Sequence, residues 1–481
     1  MTERRYGPVL VVLLSAWFMA QFDFFVVNVA APSFQRQLHA TPAALELIVG
    51  GYAFTYAAGM ITGGRLGDLY GHRRLFLIGM AAFAVASLLC GLAADPLQLV
   101  IARLAQGLTG ALMVPQVLAI ITAGFPAERR GWAIGWYGTA GGVGSIAGQV
   151  LGGFLLDANV AGLGWRAIFL LNVPIGIVAM ALAARLLPRV EPPARVRLDL
   201  LGSAGLALAL GLVLVPLALG REEGWPVWTW LATAAALPVG LATLWWQRSL
   251  HDRGGQPVLE LALFRVRSFV AGVGSSGAFM VYFGSFMFTL TLLLQGGLGL
   301  TAFQAGLAFA PMGVTFSVAS VLGARIPGRV AIVTGGLTIL CGLTILLLGP
   351  RNGLAWVVIA VSIVGLGNGL TLPRLIGASL VDVRPAQAGV GSGMLTTTQQ
   401  FASAAGVAVI GTVFFTVQSE SGYQVAMGYA AALQMALILA VVVVQGTQMS
   451  SAISRLCSLK SRSGETARSS ARSRRSKSSA R

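Results

Sequence analysis

Acidic residues and lysine are scarce in this sequence. Asp and Glu together number 16 in 481 residues, and all charged types make up 10%. A soluble domain carries about a quarter charged residues, so most of this surface faces something other than water. The only lysines, Lys460 and Lys477, stand near the end. A Gly-rich phosphate-cradling loop needs its lysine, so the body of the chain excludes a nucleotide-driven pump of that kind. Cys90, Cys341 and Cys457 have neither disulfide nor metal spacing. His39, His72 and His251 fall between apolar runs, which argues against an intramembrane His relay or a catalytic metal cluster. No soluble stretch is long enough for enzymatic chemistry, and no cofactor is expected.

Hydrophobic residues, by contrast, make up 56%, and glycine numbers 62. Abundant glycine suits close helix contacts in lipid. Fourteen apolar segments of spanning length follow one another. They are Val9–Ala31, Ala44–Gly63, Leu75–Ala94, Leu97–Gly124, Trp132–Leu156, Arg166–Leu187, Leu200–Leu219, Trp228–Gln247, Ser268–Gln295, Ala302–Gly323, Val330–Leu348, Leu354–Pro373, Leu395–Val417 and Ala426–Met449. The fold class is an all-α membrane protein. The first run is long enough to span and reads as the first helix, not a cleavable signal.

The net charge of +17 does not mark a nucleic-acid binder, because of where the charge lies. Arginines gather after even-numbered helices: Arg65, Arg73 and Arg74; Arg129 and Arg130; Arg189, Arg195 and Arg197; Arg248, Arg253, Arg265 and Arg267; Arg325 and Arg329. Arg36, Arg221 and Arg351 are the exceptions. The positive-inside rule then places both termini in the cytoplasm of a multi-pass protein of a bacterial plasma membrane. Residues 450–481, Ser- and Arg-rich, are expected to be a disordered, solvated basic tail.

After helix 2 stands Gly64-Arg-Leu-Gly-Asp68-Leu-Tyr-Gly71-His-Arg73-Arg74. The glycines permit a tight reversal, and Asp68 suits the positive end of the next helix. This stretch resembles the loop signature of the major facilitator superfamily. Helix 4 carries Arg103-Leu-Ala-Gln106-Gly107-Leu-Thr-Gly110-Ala111, similar to that family's helix-4 motif. Helix 5 carries Gly141-Gly-Val-Gly144-Ser-Ile-Ala-Gly148-Gln149-Val-Leu-Gly152-Gly153, similar to its antiporter motif. Phe22-Asp23-Phe-Phe-Val-Val-Asn28 through Pro32, Trp165-Arg166 through Pro174, Leu263 through Phe269, and Gly389 through Gly393 with Gln399 resemble the fourteen-helix drug:proton antiporter branch. The resemblance implies that Gly64, Asp68, Gly71 and Arg73 latch the two halves in one conformation. It also implies that Gly144, Gly148, Gln149 and Gly152 form a close-packing switch helix. Gln149 is a departure: the antiporter motif has Pro there, which would bend the helix.

Gly323-Ala-Arg325-Ile-Pro327-Gly328-Arg329 looks like a degraded copy of the loop after helix 2, without the Asp. The expected organisation is two six-helix bundles with pseudo-two-fold symmetry, residues 1–187 and 263–449. An inserted helix pair, helices 7 and 8, occupies 188–262, and the tail follows.

An ionisable group at bilayer depth costs about 2.5–3.5 kcal/mol, so each one demands a reason. Asp23 on helix 1 and Arg103 on helix 4 have similar expected depths, so they face one cavity or pair. Burial favours the neutral carboxyl and a nearby Arg103 the charged one, so the balance can change as the halves rock. Asp23 is thereby expected to exchange the coupling proton and to hold a cationic drug when charged; a permanent structural pair is the alternative. Thr41-Pro42 reads as a helix start. Glu46 then lies near the outer mouth, as a second proton or cation site or as a solvated residue favouring the helix N-terminus. Tyr52, Tyr56, Trp136, Tyr137, Tyr282, Phe286, Phe309, Asn368 and Gln399 are candidates for the substrate surface, since aromatic faces suit flat lipophilic or cationic compounds.

The function expected is proton-coupled antiport, exporting lipophilic, cationic drugs or an antibiotic. Protons, membrane lipids and the small molecule are the partners, the monomer is the working unit, and no nucleic acid is involved. A facilitator-type nutrient importer or uniporter, and a lipid-translocating or sensor protein, are the rival readings.

Overall fold

The computed structural model describes residues 6–187, 198–348, 353–384 and 387–448. The predicted tail, Arg189, Arg195, Arg197 and Arg351 lie outside the described residues. Among the described residues, fourteen helices are long and apolar enough to cross a membrane. They are α1 (Tyr6–Leu38), α2 (Pro42–Tyr70), α3 (His72–Leu92), α4 (Pro96–Gly124), α5 (Glu128–Ala158), α6 (Arg166–Leu186), α7 (Leu200–Gly220), α8 (Val227–Asp252), α9 (Arg267–Gly297), α10 (Ala302–Arg325), α11 (Gly328–Leu348), α12 (Leu354–Leu380), α13 (Val390–Ser421) and α14 (Tyr423–Gln448). No strand occurs among the described residues.

Polar residues set the helix starts. The Thr41 hydroxyl accepts from the Ala44 N–H, with Pro42 beside it. Asp95 accepts from the Gln98 N–H at 2.9 Å, and Thr301 with Gln304 forms a full capping box. Each cap satisfies a backbone N–H that has no partner within its own helix. The helices overrun the apolar segments. Residues Gly64–Tyr70, read above as loop, continue α2, and the reversal falls at Gly71 alone, whose φ of +91° suits glycine. Helix α1 runs through Pro32 to Leu38 instead of ending at Ala31, α12 passes through Pro373, and α6 is interrupted at Leu171.

Helices α1–α6 pack on one another, and α9–α14 form the second bundle. The halves meet along two lines, α2 against α13 and α5 against α10. The inserted pair docks through α7, which packs on α2 and α13 beside the first of these lines, while α8 packs on α7. The repeat extends to single bonds. Thr55 of α2 donates to the Leu104 carbonyl of α4 at 2.7 Å, and Thr315 of α10 donates to the Ser362 carbonyl of α12 at 2.8 Å. Gly107 and Gly365 admit those crossings, since a methyl at either would collide with the facing threonine. Arg73 holds the Ala184 carbonyl of α6, and Arg329 holds the Gln448 carbonyl of α14.

Candidate functional site

Asp23 and Arg103 form an ion pair inside the first bundle, both 0% exposed. Arg103 Nη1 donates to Asp23 Oδ2 and, at 2.6 Å, to Gln106 Oε1. Asp23 Oδ1 accepts from Gln106 Nε2 at 2.8 Å and from Asn172 Nδ2 at 3.1 Å. Ser87 Oγ accepts from the same Gln106 nitrogen, and Arg103 Nε donates to the Ile48 carbonyl at 3.1 Å. The Arg103 guanidinium lies 4.4 Å from the Tyr52 ring centroid. Helices α1, α2, α3, α4 and α6 thus each supply a group. A buried pair needs such additional hydrogen bonds to set against the cost of its desolvation. Asp23 and Arg103 pair, as one of the two expectations had it. The other, a shared cavity in which Asp23 holds a cation directly, does not fit a carboxylate enclosed within one bundle.

The cavity lies between the bundles. Its volume is about 460 Å³, within the usual range for small-molecule sites. Trp17, Gln21, Phe24 and Phe25 of α1 line it, with Tyr137, Gly138, Gly141, Gly142, Ser145 and Gln149 of α5. Met280, Phe283, Phe309, Phe316, Gln400 and Ser403 complete it from the second bundle. Phe24 and Phe25 directly follow Asp23 in sequence but turn to the cavity as Asp23 turns away. Trp17 stacks on Tyr137 with centroids 4.6 Å apart and planes 9° apart.

Of the nine substrate candidates, Tyr137 and Phe309 line this cavity. The other seven do not. Tyr52 and Tyr56 stack on each other, with Tyr52 over Arg103, and are buried in the first bundle. Trp136 is 48% exposed on the outer surface of α5, one residue round the helix from Tyr137. Tyr282 donates to Asn368 Oδ1 at 3.2 Å, and Phe286 packs on Tyr282, all inside the second bundle. Gln399 is buried, and its neighbour Gln400 takes the cavity position. These seven lie on helix faces turned away from this cavity, and aromatic composition does not fix the face.

Glu46 is 3% exposed, so the solvated reading is overturned. It sits between the halves, its Oε2 3.3 Å from the Thr412 hydroxyl of α13. That hydroxyl also lies 2.7 Å from the Ala408 carbonyl and 3.2 Å from the Leu217 carbonyl of α7. One proton cannot serve all three acceptors, so Glu46 competes for it.

The halves are sealed at the end away from the arginine-rich loops. Asp157, at the end of α5, accepts from the Ala302 and Phe303 N–H groups at 3.2 and 2.9 Å, capping α10 across the divide. Gly153 lies against Ala302, and Gly306 against the Gln149 carbonyl. Toward the arginine-rich end α5 stands free: a methyl at Gly131, Gly135, Gly138 or Gly142 would meet nothing within 4 Å. The cavity therefore lies in the half of the molecule where the bundles part.

Gly144, Gly148 and Gly152 share one face, as their spacing predicts, and it packs on α1. A methyl at Gly148 would stand 2.7 Å from the Phe22 carbonyl oxygen. Gln149 points to the second bundle, its Nε2 3.7 Å from the Met287 sulfur, and its Oε1 is buried without a partner. At the loop signature, Asp68 lies 3.4 Å from His72, Gly64 sits within α2 near Pro115, and Arg73 is tied to α6. None of these joins the two bundles in this conformation. Arg65, not among the predicted switch residues, does reach out, donating to the Gln256 and Pro257 carbonyls at 2.7 Å.

The sequence profile of the Major Facilitator Superfamily matches residues 13–407. The chain is 37% identical over 421 residues to a protein named probable actinorhodin transporter of Streptomyces coelicolor, covering 86% of this chain and 73% of that one. It is 34% identical to the cephamycin export protein CmcT of Amycolatopsis lactamdurans, over 87% of each chain. It is 34% identical to a methylenomycin A resistance protein of Streptomyces coelicolor, over 85% of each. Among solved structures, a bacterial homologue of the human lysosomal transporter Spinster superposes with a TM-score of 0.66 at 16% identity, covering 93% of this chain and 96% of that one. Twelve helices in two related bundles with an inserted pair, a central cavity and relatives named for antibiotic export or resistance agree: the chain belongs to the major facilitator superfamily, in its drug-efflux branch.

Proposed function

We propose that this chain is a proton-coupled antiporter that exports lipophilic small molecules by alternating access, with both termini in the cytoplasm of a bacterium. The observation that carries the proton coupling is the enclosed Asp23–Arg103 pair with Gln106 and Asn172. A proton arriving on Asp23 cancels the charge that Arg103 is paired with. The guanidinium then loses its best partner, and the packing of α1 against α4 and α6 changes. The substrate site is on the opposite face of α1, so coupling runs through the helix and not through direct competition for the carboxylate. Glu46, where α2, α7 and α13 meet, is the second proton site in this reading. Protons are the coupling ion, lipids the solvent, and the monomer is the working unit.

The test is accumulation of a fluorescent lipophile in energised inverted vesicles. Wild-type protein gives uptake that an uncoupler abolishes. Asp23→Asn gives at least a tenfold lower gradient-driven rate with the protein still folded. Full uncoupler-sensitive uptake in Asp23→Asn removes the coupling role. Downhill flux indifferent to a proton gradient favours a uniporter instead.

A further inference from the structure

We propose that the cavity takes an uncharged, flat aromatic compound bearing carbonyl, hydroxyl or amide groups, with Gln149 as one of its hydrogen-bonding contacts. This names a substrate class for the transport reading above and replaces the cationic class expected from the sequence.

Four observations converge. First, no Asp, Glu, Arg, Lys or His is among the lining residues. A cation entering here leaves water and meets no counter-charge; aromatic faces offset part of that cost but do not replace hydration of a full charge. Asp23 and Arg103 already neutralise each other behind α1, and Arg374, between the lining residues Leu372 and Ile376 of α12, donates to the Ser320 carbonyl. Second, the polar lining is all neutral: the amides of Gln21, Gln149 and Gln400, with the hydroxyls of Ser145, Ser317 and Ser403. Amides both donate and accept, which suits carbonyls and N–H or O–H groups alike. Third, the walls are flat. The parallel Trp17–Tyr137 stack stands beside Gly138, Gly141 and Gly142, which leave the α5 backbone bare. A side chain at Gly141 would collide with the Trp17 indole, 2.6 Å from its nitrogen, so glycine keeps that stack in place. Fourth, Gln149 is 7% exposed, and its Oε1 has no hydrogen-bond partner. An unpaired buried acceptor is costly, and a ligand N–H or O–H would satisfy it. The motif proline would offer no such group.

The test uses two probes on one ring frame. Acridone is a neutral tricycle with one N–H and one carbonyl; N-methylacridinium carries a fixed positive charge. Each is titrated into purified full-length protein in phosphatidylethanolamine–phosphatidylglycerol nanodiscs, with empty nanodiscs subtracted. Acridone is expected to bind at least tenfold more tightly than N-methylacridinium. Gln149→Leu is expected to weaken acridone about five- to tenfold, the worth of one hydrogen bond, and to leave N-methylacridinium unmoved. Gln149→Glu, which supplies a counter-charge, is expected to narrow or reverse the preference. Thermal unfolding of each variant verifies that it is folded. Equal or tighter binding of N-methylacridinium, binding of neither probe, or acridone binding indifferent to Gln149→Leu overturns the proposal. The binding assay needs no gradient, so its outcome is separate from that of the vesicle assay. Selective acridone binding without gradient-driven transport sinks the antiport reading alone, and gradient-driven export of only the cation sinks this one alone.

Discussion

Arg103 spends its hydrogen bonds on Asp23, Gln106 and the Ile48 carbonyl, so removing it exposes the cost of a charge left alone. Arg103→Leu is expected to destabilise the protein by about 3–5 kcal/mol, the usual penalty for breaking a buried pair. The double variant Asp23→Asn/Arg103→Leu recovers part of that, because no buried charge remains. The order of melting temperatures, wild type above double above single, is the check. Asp199 is the acid to examine outside the spans. Burial alone would raise its carboxyl, but hydrogen bonds from Trp246 and Gln247 and from the Gly202 and Val258 N–H groups outweigh it and hold it below its usual value. A carboxyl lowered on folding stabilises the fold fully above its unfolded pKa of about 3.9, and that stabilisation drains as pH falls through the folded value. Asp199→Asn is therefore expected to lower the melting temperature at pH 7, with the deficit shrinking below about pH 4. Asp23 and Arg103 were legible because lone charges in apolar helices demand partners. Gln106 and Asn172 stand inside the quoted motifs, yet no role fell to them. A neutral amide gives no charge signal, and its partner shows only when five helices close around it.

Helix number was written in hydrophobicity, while helix ends were not. The overrun of α1 to Leu38 and of α2 to Tyr70 adds polar turns that no apolar window detects, because caps and tertiary contacts, not lipid, hold those turns. Helix faces were harder still. Trp136 and Tyr137 are adjacent, and only the packing of α1 on the Gly144–Gly148–Gly152 stripe decides which one meets the cavity. Among the elements, α5 carries the seal. Its Asp157 caps the start of α10, placing a negative charge at a helix N-terminus across the two halves. Asp157→Ala leaves those N–H groups to water and is expected to favour opening at that end by about 1 kcal/mol, the value of one cap. Spin labels at Val160 and Leu307, both exposed, would report it on a background without native cysteines. A longer-distance population several-fold larger than in wild type is the expected result. An unchanged distribution would assign the seal to the Gly153–Ala302 and Gly306–Gln149 contacts instead.

At the scale of the molecule, duplication is visible in paired details: Thr55 with Thr315, Gly107 with Gly365, Arg73 with Arg329. The sequence disclosed the likeness of the two loops that carry Arg73 and Arg329, because basic loops stand out. It hid the threonine crossings, where the two copies share a contact but little surrounding sequence. The inserted pair breaks the symmetry, since α7 and α8 cover only the α2–α13 side. On the other side, α5 parts from α10 along bare glycines toward the arginine-rich end. Where that parting lies at hydrocarbon depth, the leaflet, not the aqueous phase, is the reservoir from which a lipophile enters. The concentration that matters is then the mole fraction of compound in lipid. Across a series of compounds that fit the cavity alike, the apparent KM, expressed as aqueous concentration, is expected to fall in proportion to the lipid–water partition coefficient. A KM indifferent to the partition coefficient would mean entry through water. Potency would otherwise follow how well a compound dissolves in the membrane as much as how well it fits the protein, and two compounds of equal fit would be cleared at rates set by their partition coefficients.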